Sequence, residues 1–412
     1  MSGPGQDARP VRRRIVLYVP GYDPVPPRKY RERYRREAAR QAGFSGHEIA
    51  LSPPCGDARF GWRVSARIEG AATQTEVEVL HWADIVRSSM GGGIAATYGQ
   101  LLRTAWIYLR SGTLFRLARL RKGPVIAALF PLAVLLLQLL AAAGVFLGVA
   151  AGTAAVLPAG YGLLGLVPAS GAGYGLVRWF RRRDHLLAWY LMHDYAFSAR
   201  HDGAYPAAQE ARMAEFAERI AGALGGEADE VLVVGHSSGA YLAVSVIADL
   251  IRAGRVPCDG PALGLLTLGQ VIPMVSFLPG ARRLRADLAL LSASARLTWI
   301  DVSAPGDGCT FALCDPVAVS GVAPPDKRWP LVISAAFSRT LSADAQSALR
   351  WRFLERHFQY LNAFDNLSGD PGEYDYFAIT AGPRTLSDRF AARRPSKSRI
   401  ERALSRHTDR AA

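Results

Sequence analysis

The chain has 412 residues, half of them hydrophobic, and its 49 Lys and Arg against 35 Asp and Glu give a net charge of +14. This length suffices for one large core or for two domains of about 100–200 residues each. The positive charge predicts an anionic partner, and the sequence has no zinc-finger spacing, RNP-like strand or basic-region helix. A long apolar stretch is present, so we expect a membrane as the partner and no nucleic acid.

The first part of the chain has the pattern of a mixed α/β domain. The apolar run at residues 15–19 predicts a buried strand and is too short for a signal peptide. Residues 28–41 predict a helix, and the alternating segments 60–68 and 76–81 predict half-buried strands.

Residues 123–177 contain no charged side chain. One membrane-spanning helix needs about 20 apolar residues, so the run is long enough for two spans and a turn, although its second half is richer in Gly and Pro. Basic residues flank the run at both ends: Arg116, Arg119, Arg121, Lys122, Arg178, Arg181, Arg182 and Arg183. Such flanks predict an even number of crossings with both ends cytoplasmic. A re-entrant or interfacial hairpin and a buried helical pair are the alternatives.

Neither the cysteines nor the histidines have the spacing of a metal site. His185 and His193 lie two helical turns apart, too far to chelate one ion, and the cysteines form no CxxC pair. We therefore expect no metal or cofactor, and reduced, buried thiols in a cytosolic domain. The cysteines are Cys55, Cys258, Cys309 and Cys314.

The segment with the clearest chemical signature follows a second buried strand. Residues 231–234 are apolar and β-branched, residues 240–251 have a helical composition, and GHSSG stands between them at residues 235–239. A Gly-x-Ser-x-Gly sequence between a strand and a helix is typical of a strained turn that presents the serine hydroxyl, here that of Ser237, above a sheet.

The two glycines of this turn, Gly235 and Gly239, let the backbone bend without side-chain clashes. The backbone N–H of Ser238 would point at an oxyanion that forms on a substrate of Ser237. A tight strand–helix turn without chemistry is the alternative interpretation.

With this motif the chain resembles the α/β-hydrolases of the lipase and esterase type, interrupted by a membrane hairpin. The resemblance covers residues 13–110 and 200–380. It implies a mostly parallel sheet with helices on both faces, and a catalytic acid and histidine that follow the serine in that order.

Two histidines follow Ser237, and His407 lies in the basic tail, so the resemblance implies His357 as the general base. His236 is too constrained within the turn to serve. The resemblance implies an acid in a loop after a late strand, predicted at residues 297–302. Asp307 fits best, and Asp301 and Asp315 remain alternatives.

The family's second oxyanion donor comes from the loop after an early strand, often beginning His-Gly. Here Pro20 replaces that histidine and Gly21 is retained, which makes the backbone N–H of Tyr22 the expected donor. An ordinary turn at the end of the strand is the alternative.

We expect a basic tail at residues 1–13, a hydrolase domain at 14–115 and 184–390, a transmembrane hairpin with basic flanks at 116–183, and a basic tail at 391–412 that is a disordered segment or a surface helix.

The expected activity is a Ser-His-Asp esterase that acts on a lipid or acyl ester at the cytoplasmic face of a membrane, where the basic flanks would favour anionic lipids. A catalytically inactive hydrolase fold that serves as a membrane scaffold is the main alternative. A transporter is disfavoured because the apolar run contains no intramembrane charge.

Overall fold

A computed structural model describes residues 10–54, 60–158, 160–370 and 372–411. Most of the expected N-terminal tail and Cys55 lie outside these residues. The strands of the described part are β1 (Arg13–Val19), β2 (Glu48–Ser52), β3 (Gly61–Ile68), β4 (Ala71–Val79), β5 (Glu230–His236), β6 (Ala262–Leu268), β7 (Thr298–Ser303) and β8 (Leu331–Ser334).

These strands form one sheet in the order β2-β3-β4-β1-β5-β6-β7-β8. From β4 to β8 all neighbours are parallel, whereas β3 runs antiparallel to both β2 and β4. The central pair β1 and β5 therefore joins strands from either side of the predicted membrane hairpin.

The α-helices of the described part are α1 (Arg28–Ser45), α2 (Ala83–Ser89), α3 (Ile94–Arg110), α4 (Thr113–Leu120), α5 (Lys122–Val156), α6 (Leu166–Arg183), α7 (Ala188–Ala199), α8 (Ala207–Leu224), α9 (Gly239–Arg252), α10 (Ile272–Ser276), α11 (Arg282–Ala293), α12 (Pro316–Val319), α13 (Phe337–Thr340), α14 (Ala343–Leu349), α15 (Phe353–His357), α16 (Tyr376–Ala381) and α17 (Leu386–Phe390). Short 3-10 helices occupy Gly162–Gly165, Arg200–Gly203 and Phe358–Leu361.

Side chains of the central strands alternate between two hydrophobic cores. In β1, Leu17 and Val19 join a core that includes residues of α8, α9 and α11, whereas Val16 and Tyr18 join one with residues of α1 and α16. Alternation is expected because successive strand residues point to opposite faces. The expected α/β class, with a mostly parallel sheet and helices on both faces, is confirmed at this level.

The predicted strands and helices correspond to β1, β3, β4, β5, β7, α1 and α9, with ends that differ by a few residues. Three strands had no sequence-based prediction. β2 and β8 are short edge strands, and β6 is a buried apolar run that periodicity does not distinguish from a helix.

The apolar run folds into a helical hairpin, because α5 and α6 pack side by side in opposite directions. The returning chain contacts α5 closely at two glycines. A Cβ on Gly165 would lie 2.1 Å from Thr153 Oγ1, and one on Gly173 would lie 3.2 Å from the Ala142 carbonyl oxygen. α5 is one helix of 35 residues, long and apolar enough to cross a membrane, and it is the one described helix with that length and composition.

The expected second span is not supported, because α6 has 18 residues and ends in three consecutive arginines. The first half of α5 also packs against the domain. Trp189 Nε1 of α7 donates a hydrogen bond to Gln138 Oε1 at 3.0 Å, and the Tyr98 hydroxyl of α3 donates to the Leu135 carbonyl. The part of α5 beyond Ala142 has no buried residue.

The expectation of a disordered or helical C-terminal tail was wrong. The tail is an extended segment on the domain surface, where Ile400 pairs with Cys314 in a parallel bridge and Leu404 N–H donates to Val319 O. Asp409 forms an ion pair with the buried Arg285 at 2.8 Å. Composition alone did not reveal these contacts, because a few apolar and acidic residues anchor an otherwise basic segment.

The expectation of buried cysteines was partly wrong. Cys314 is buried and Cys309 is partly buried, but Cys258 is exposed, and all three are free thiols. Arg296 Nη1 donates to the Cys258 sulfur at 2.7 Å.

Candidate functional site

Ser237 lies at the carboxyl end of β5, on the turn into α9, with a left-handed backbone φ of +56°. A non-glycine residue in this region carries about 1–3 kcal/mol of strain and persists only where its surroundings impose it. The surroundings do so here, because a Cβ on Gly239 would lie 2.1 Å from Val19 O, and one on Gly235 would lie 2.8 Å from the Ala240 Cα. Both glycines are therefore required for the turn to approach β1 and α9.

The turn after β1 lies directly against this serine. A Cβ on Gly21 would lie 3.0 Å from the Ser237 Cβ and 3.4 Å from its Oγ. Among the described residues, the backbone N–H groups of Tyr22 and Ser238 have no hydrogen-bond acceptor. The Tyr190 hydroxyl donates a short hydrogen bond to the Tyr22 carbonyl and so fixes this turn.

Asp307 and His357 form a buried hydrogen-bonded pair. The Nδ1 atom of His357 lies 2.7 Å from Oδ2 of Asp307, and both side chains are almost fully inaccessible to solvent. The Tyr360 hydroxyl donates to the same Oδ2 at 3.1 Å, and the Cys309 N–H donates to Oδ1 at 2.9 Å. The carboxylate thus makes hydrogen bonds with three groups, and its bond to Nδ1 fixes the orientation of the imidazole.

The two alternative acids are engaged elsewhere. Asp301 lies inside β7, where Thr267 Oγ1 donates to its Oδ1 at 2.6 Å, and burial raises the pKa of Asp301 to about 8. Asp315 caps α12 through the N–H groups of Val317 and Ala318, and its other oxygen lies 2.7 Å from Lys327 Nζ. Neither carboxylate contacts His357.

His236, the residue before Ser237, has a structural role. Burial lowers its pKa well below the ordinary value, so the ring is neutral, and its Nε2 lies 3.0 Å from the His357 carbonyl oxygen. The rings of His236 and His357 lie 4.8 Å apart. His236 therefore supports the backbone of His357 and is not free to accept a proton.

Ser237 and His357 line the same cavity, which has a volume of about 70 Å³. Tyr22, Ser238 and Cys309 line it as well. Among the described residues, the Ser237 hydroxyl makes no hydrogen bond, so its contact with the imidazole is not formed in this state. Apo sites often show such loose geometry, which tightens when a substrate binds.

Sequence reasoning missed the contribution of α7, whose residues Tyr190, Asp194 and Ser198 face the cavity. Their four-residue spacing was the available signal, but any helix with one polar face shows it. Burial raises the pKa of Asp194 to about 7, and the positive charge that His357 can carry lowers it in part.

The ligand atoms of Asp307, Cys309 and His357 lie within 4.8 Å of one another, a separation that could suit a metal ion. The direct hydrogen bond between the carboxylate and the imidazole already accounts for this proximity. Burial raises the pKa of the Cys309 thiol well above its ordinary value, which disfavours the thiolate that a metal would need. The group therefore fits a hydrogen-bonded acid–base pair better than a metal centre.

The arrangement combines a strained, accessible serine hydroxyl, an imidazole oriented by a buried carboxylate, and two backbone N–H donors that have no acceptor in the described part of the chain. Such a set can deprotonate a hydroxyl and stabilise the negative charge that develops on a carbonyl oxygen. No family model matches the chain, and no curated protein or solved structure matches it either.

Proposed function

We propose that this protein is a membrane-anchored serine hydrolase of the α/β-hydrolase type that cleaves an ester through an acyl-enzyme. The observation that carries the proposal is the buried pair of Asp307 and His357 in the cavity of the strained Ser237. The chain order of serine, acid and histidine, and the position of the serine between a parallel strand and a helix, also support it.

In this scheme Nε2 of His357 removes the proton of Ser237 while its oxygen attacks the acyl carbon. Asp307 fixes the tautomer with the proton on Nδ1 and stabilises the imidazolium. The backbone N–H groups of Tyr22 and Ser238 hold the oxyanion. The imidazolium then protonates the leaving alcohol, and water, deprotonated by His357, releases the acid and restores the serine.

Membrane attachment through the hairpin of α5 and α6 would supply a lipid or acyl ester at high local concentration. Two facts support this part of the proposal. The outer face of α5 exposes large apolar side chains, among them Leu137 and Leu140. A Cβ on Gly123, at the start of α5, would lie 3.3 Å from Gly308 O, next to the Asp307 loop. We place the domain on the cytoplasmic side because basic residues flank the base of the hairpin.

The test is labelling by a fluorophosphonate probe in membranes that carry the intact protein, Ser237→Ala, or the control Ser347→Ala. Ser347 is exposed on α14 and does not line the cavity. We expect labelling of the intact protein and of the control, and its loss in Ser237→Ala.

Two outcomes would overturn the proposal. Undiminished labelling of Ser237→Ala would show that another residue reacts. The absence of labelling from the folded, intact protein would favour the second candidate, a scaffold that uses the same fold without catalysis. The unpaired Ser237 hydroxyl is the observation that favours this second candidate.

A further inference from the structure

The cavity beside Ser237 has the opposite electrostatic character to the chain as a whole. The chain carries a net charge of +14, yet the described residues that line the cavity include Asp23 and Asp194 and neither Arg nor Lys. A cleft lined by one sign of charge concentrates ligands of the opposite sign. The cavity is therefore suited to a cation, although the basic flanks of the hairpin are suited to anions.

The two carboxylates differ in what they already bind. Asp23 accepts hydrogen bonds from the Val25 N–H at 3.0 Å and from the Tyr30 hydroxyl at 2.7 Å. Asp194 has no hydrogen-bond or ion-pair partner among the described residues. Asp194 is thus the carboxylate with free oxygens at the cavity.

Among the described residues, the groups that interact electrostatically with Asp194 do not supply a fixed positive charge. They come from α3, α7, α9, α15 and the loops after β1 and β7, and comprise His357, the Cys309 thiol and five tyrosines. Burial raises the pKa of the thiol and of each phenol, so all six are neutral at pH 7. The tyrosines are Tyr22, Tyr108, Tyr190, Tyr195 and Tyr241.

A half-buried carboxylate without a cation is costly to ionise, and a bound cation would reduce that cost. The aromatic side chains of Tyr22, Tyr190 and Tyr195 also line the cavity. Ring faces attract ammonium groups, and acidic, aromatic-lined pockets are the usual receptors for them.

We infer that this cavity binds an ammonium group of the substrate, with Asp194 as its counter-ion. The inference rests on the proposed function and names the substrate class, an acyl ester with a protonated amine a few atoms from the scissile bond. Asp194 acts as a specificity-determining residue, and it takes no part in the proton transfers assigned to His357.

The acyl chain has a separate apolar surface available. Leu354 lines the cavity, and Trp351 and Phe353 beside it are exposed, with 74% and 57% of their surface accessible. These side chains can cover an acyl chain, whereas the cavity of about 70 Å³ suits a compact polar group.

The experiment compares two fluorophosphonates that differ in one substituent, which is aminoethyl in one probe and the isosteric propyl in the other. In both, the Ser237 oxygen bonds to phosphorus, fluoride leaves, and His357 takes the serine proton. The readout is the ratio of the two inactivation rate constants, measured on the full-length protein in membranes. We expect the aminoethyl probe to react about tenfold faster or more, since a charge-assisted hydrogen bond contributes roughly 1.5–3 kcal/mol.

In Asp194→Asn this ratio should fall towards one. The control Asp344→Asn, in the exposed first turn of α14, should keep the ratio of the intact protein. Because the ionisation of His357 affects both probes alike, it cancels in the ratio. The ratio should therefore rise from pH 6 to pH 8, as Asp194 ionises around its pKa of about 7.

The possible outcomes distinguish failure of the ammonium site from failure of the hydrolase function. If neither probe labels the intact protein, the proposed hydrolase function fails and the inference fails with it. If both probes label Ser237 at similar rates, or if the ratio is the same in Asp194→Asn, the ammonium site is refuted while the hydrolase function stands.

Discussion

The Nδ1 atom of His357 lies 2.7 Å from Oδ2 of Asp307, a contact between residues 50 positions apart in the chain. The same carboxylate oxygen accepts the Tyr360 hydroxyl, which itself accepts a hydrogen bond from the Ala304 N–H at 3.0 Å. The strand end at Ala304, the acid and the imidazole thus form one connected network. The network leaves Nε2 as the nitrogen available for a proton from Ser237.

Replacement of the paired acid should therefore abolish most of the activity. Asp307→Asn keeps the shape of the side chain but removes the charge and favours the wrong imidazole tautomer. We expect the rate of fluorophosphonate labelling to fall by roughly 10³- to 10⁴-fold. Asp301→Asn is the control, because Asp301 bonds to Thr267 and makes no contact with His357. Equal losses in both variants would contradict the assignment of Asp307.

The close approach of Gly239 to β1 predicts a large loss of stability on substitution. In Gly239→Ala the new methyl group would lie 2.1 Å from Val19 O and 2.6 Å from Pro20 O, and neither backbone atom can move without distorting β1. We expect the free energy of unfolding to fall by roughly 3 kcal/mol or more.

Gly222→Ala provides the matched control for that measurement. Gly222 lies within α8 and has no atom within 4 Å of the position of an added Cβ. The same substitution should there stabilise the protein by about 1 kcal/mol, because alanine favours the helix. A comparable loss at both positions would mean that the contact with β1 is not responsible.

The sequence was sufficient to place Ser237, because the strand, the turn and the helix that position it are contiguous in the chain. It also selected Asp307 and His357, since the hydrolase resemblance required an acid and then a histidine after the serine. The sequence did not indicate Asp194, because its position at the cavity depends on where α7 packs, beside the turns that follow β1 and β5. No local pattern encodes that tertiary arrangement.

Asp301 predicts a pH-dependent contribution to stability. Burial raises its pKa to about 8 in the folded protein, from 3.8 when it is exposed. The folded state therefore retains a proton that the unfolded state has lost, so stability falls as the pH rises from about 4 towards 8. Each pH unit in this range lowers the free energy of unfolding by at most about 1.4 kcal/mol.

Asp301→Asn should remove this dependence, because an amide cannot ionise and its oxygen can still accept the Thr267 hydroxyl. The measurement is the free energy of unfolding of both proteins at pH 5, 6, 7 and 8. The difference between them should grow in favour of the variant as the pH rises. Parallel curves would show that Asp301 is ionised in the folded state.

The length of α6 predicts how deeply the hairpin would enter the membrane in the proposed attachment. The helical segment from Gly162 to Arg178, which leads from the tip of the hairpin back to the domain, is about 25 Å long. The hydrocarbon core of a bilayer is about 30 Å thick, so this segment is too short to cross it fully. We therefore expect the tip, near Tyr161, to remain inside the bilayer, although α5 alone is long enough to cross.

This expectation can be tested with an impermeant maleimide on sealed vesicles of either orientation, in a Cys258→Ser background that removes the exposed thiol. Ser347→Cys should be labelled from the side on which the domain lies, and the background without an added cysteine reports any other reactive thiol. Tyr161→Cys should be labelled from neither side until detergent is added. Its labelling from the side opposite Ser347→Cys would instead establish two complete crossings, which the basic flanks of the apolar run also allow.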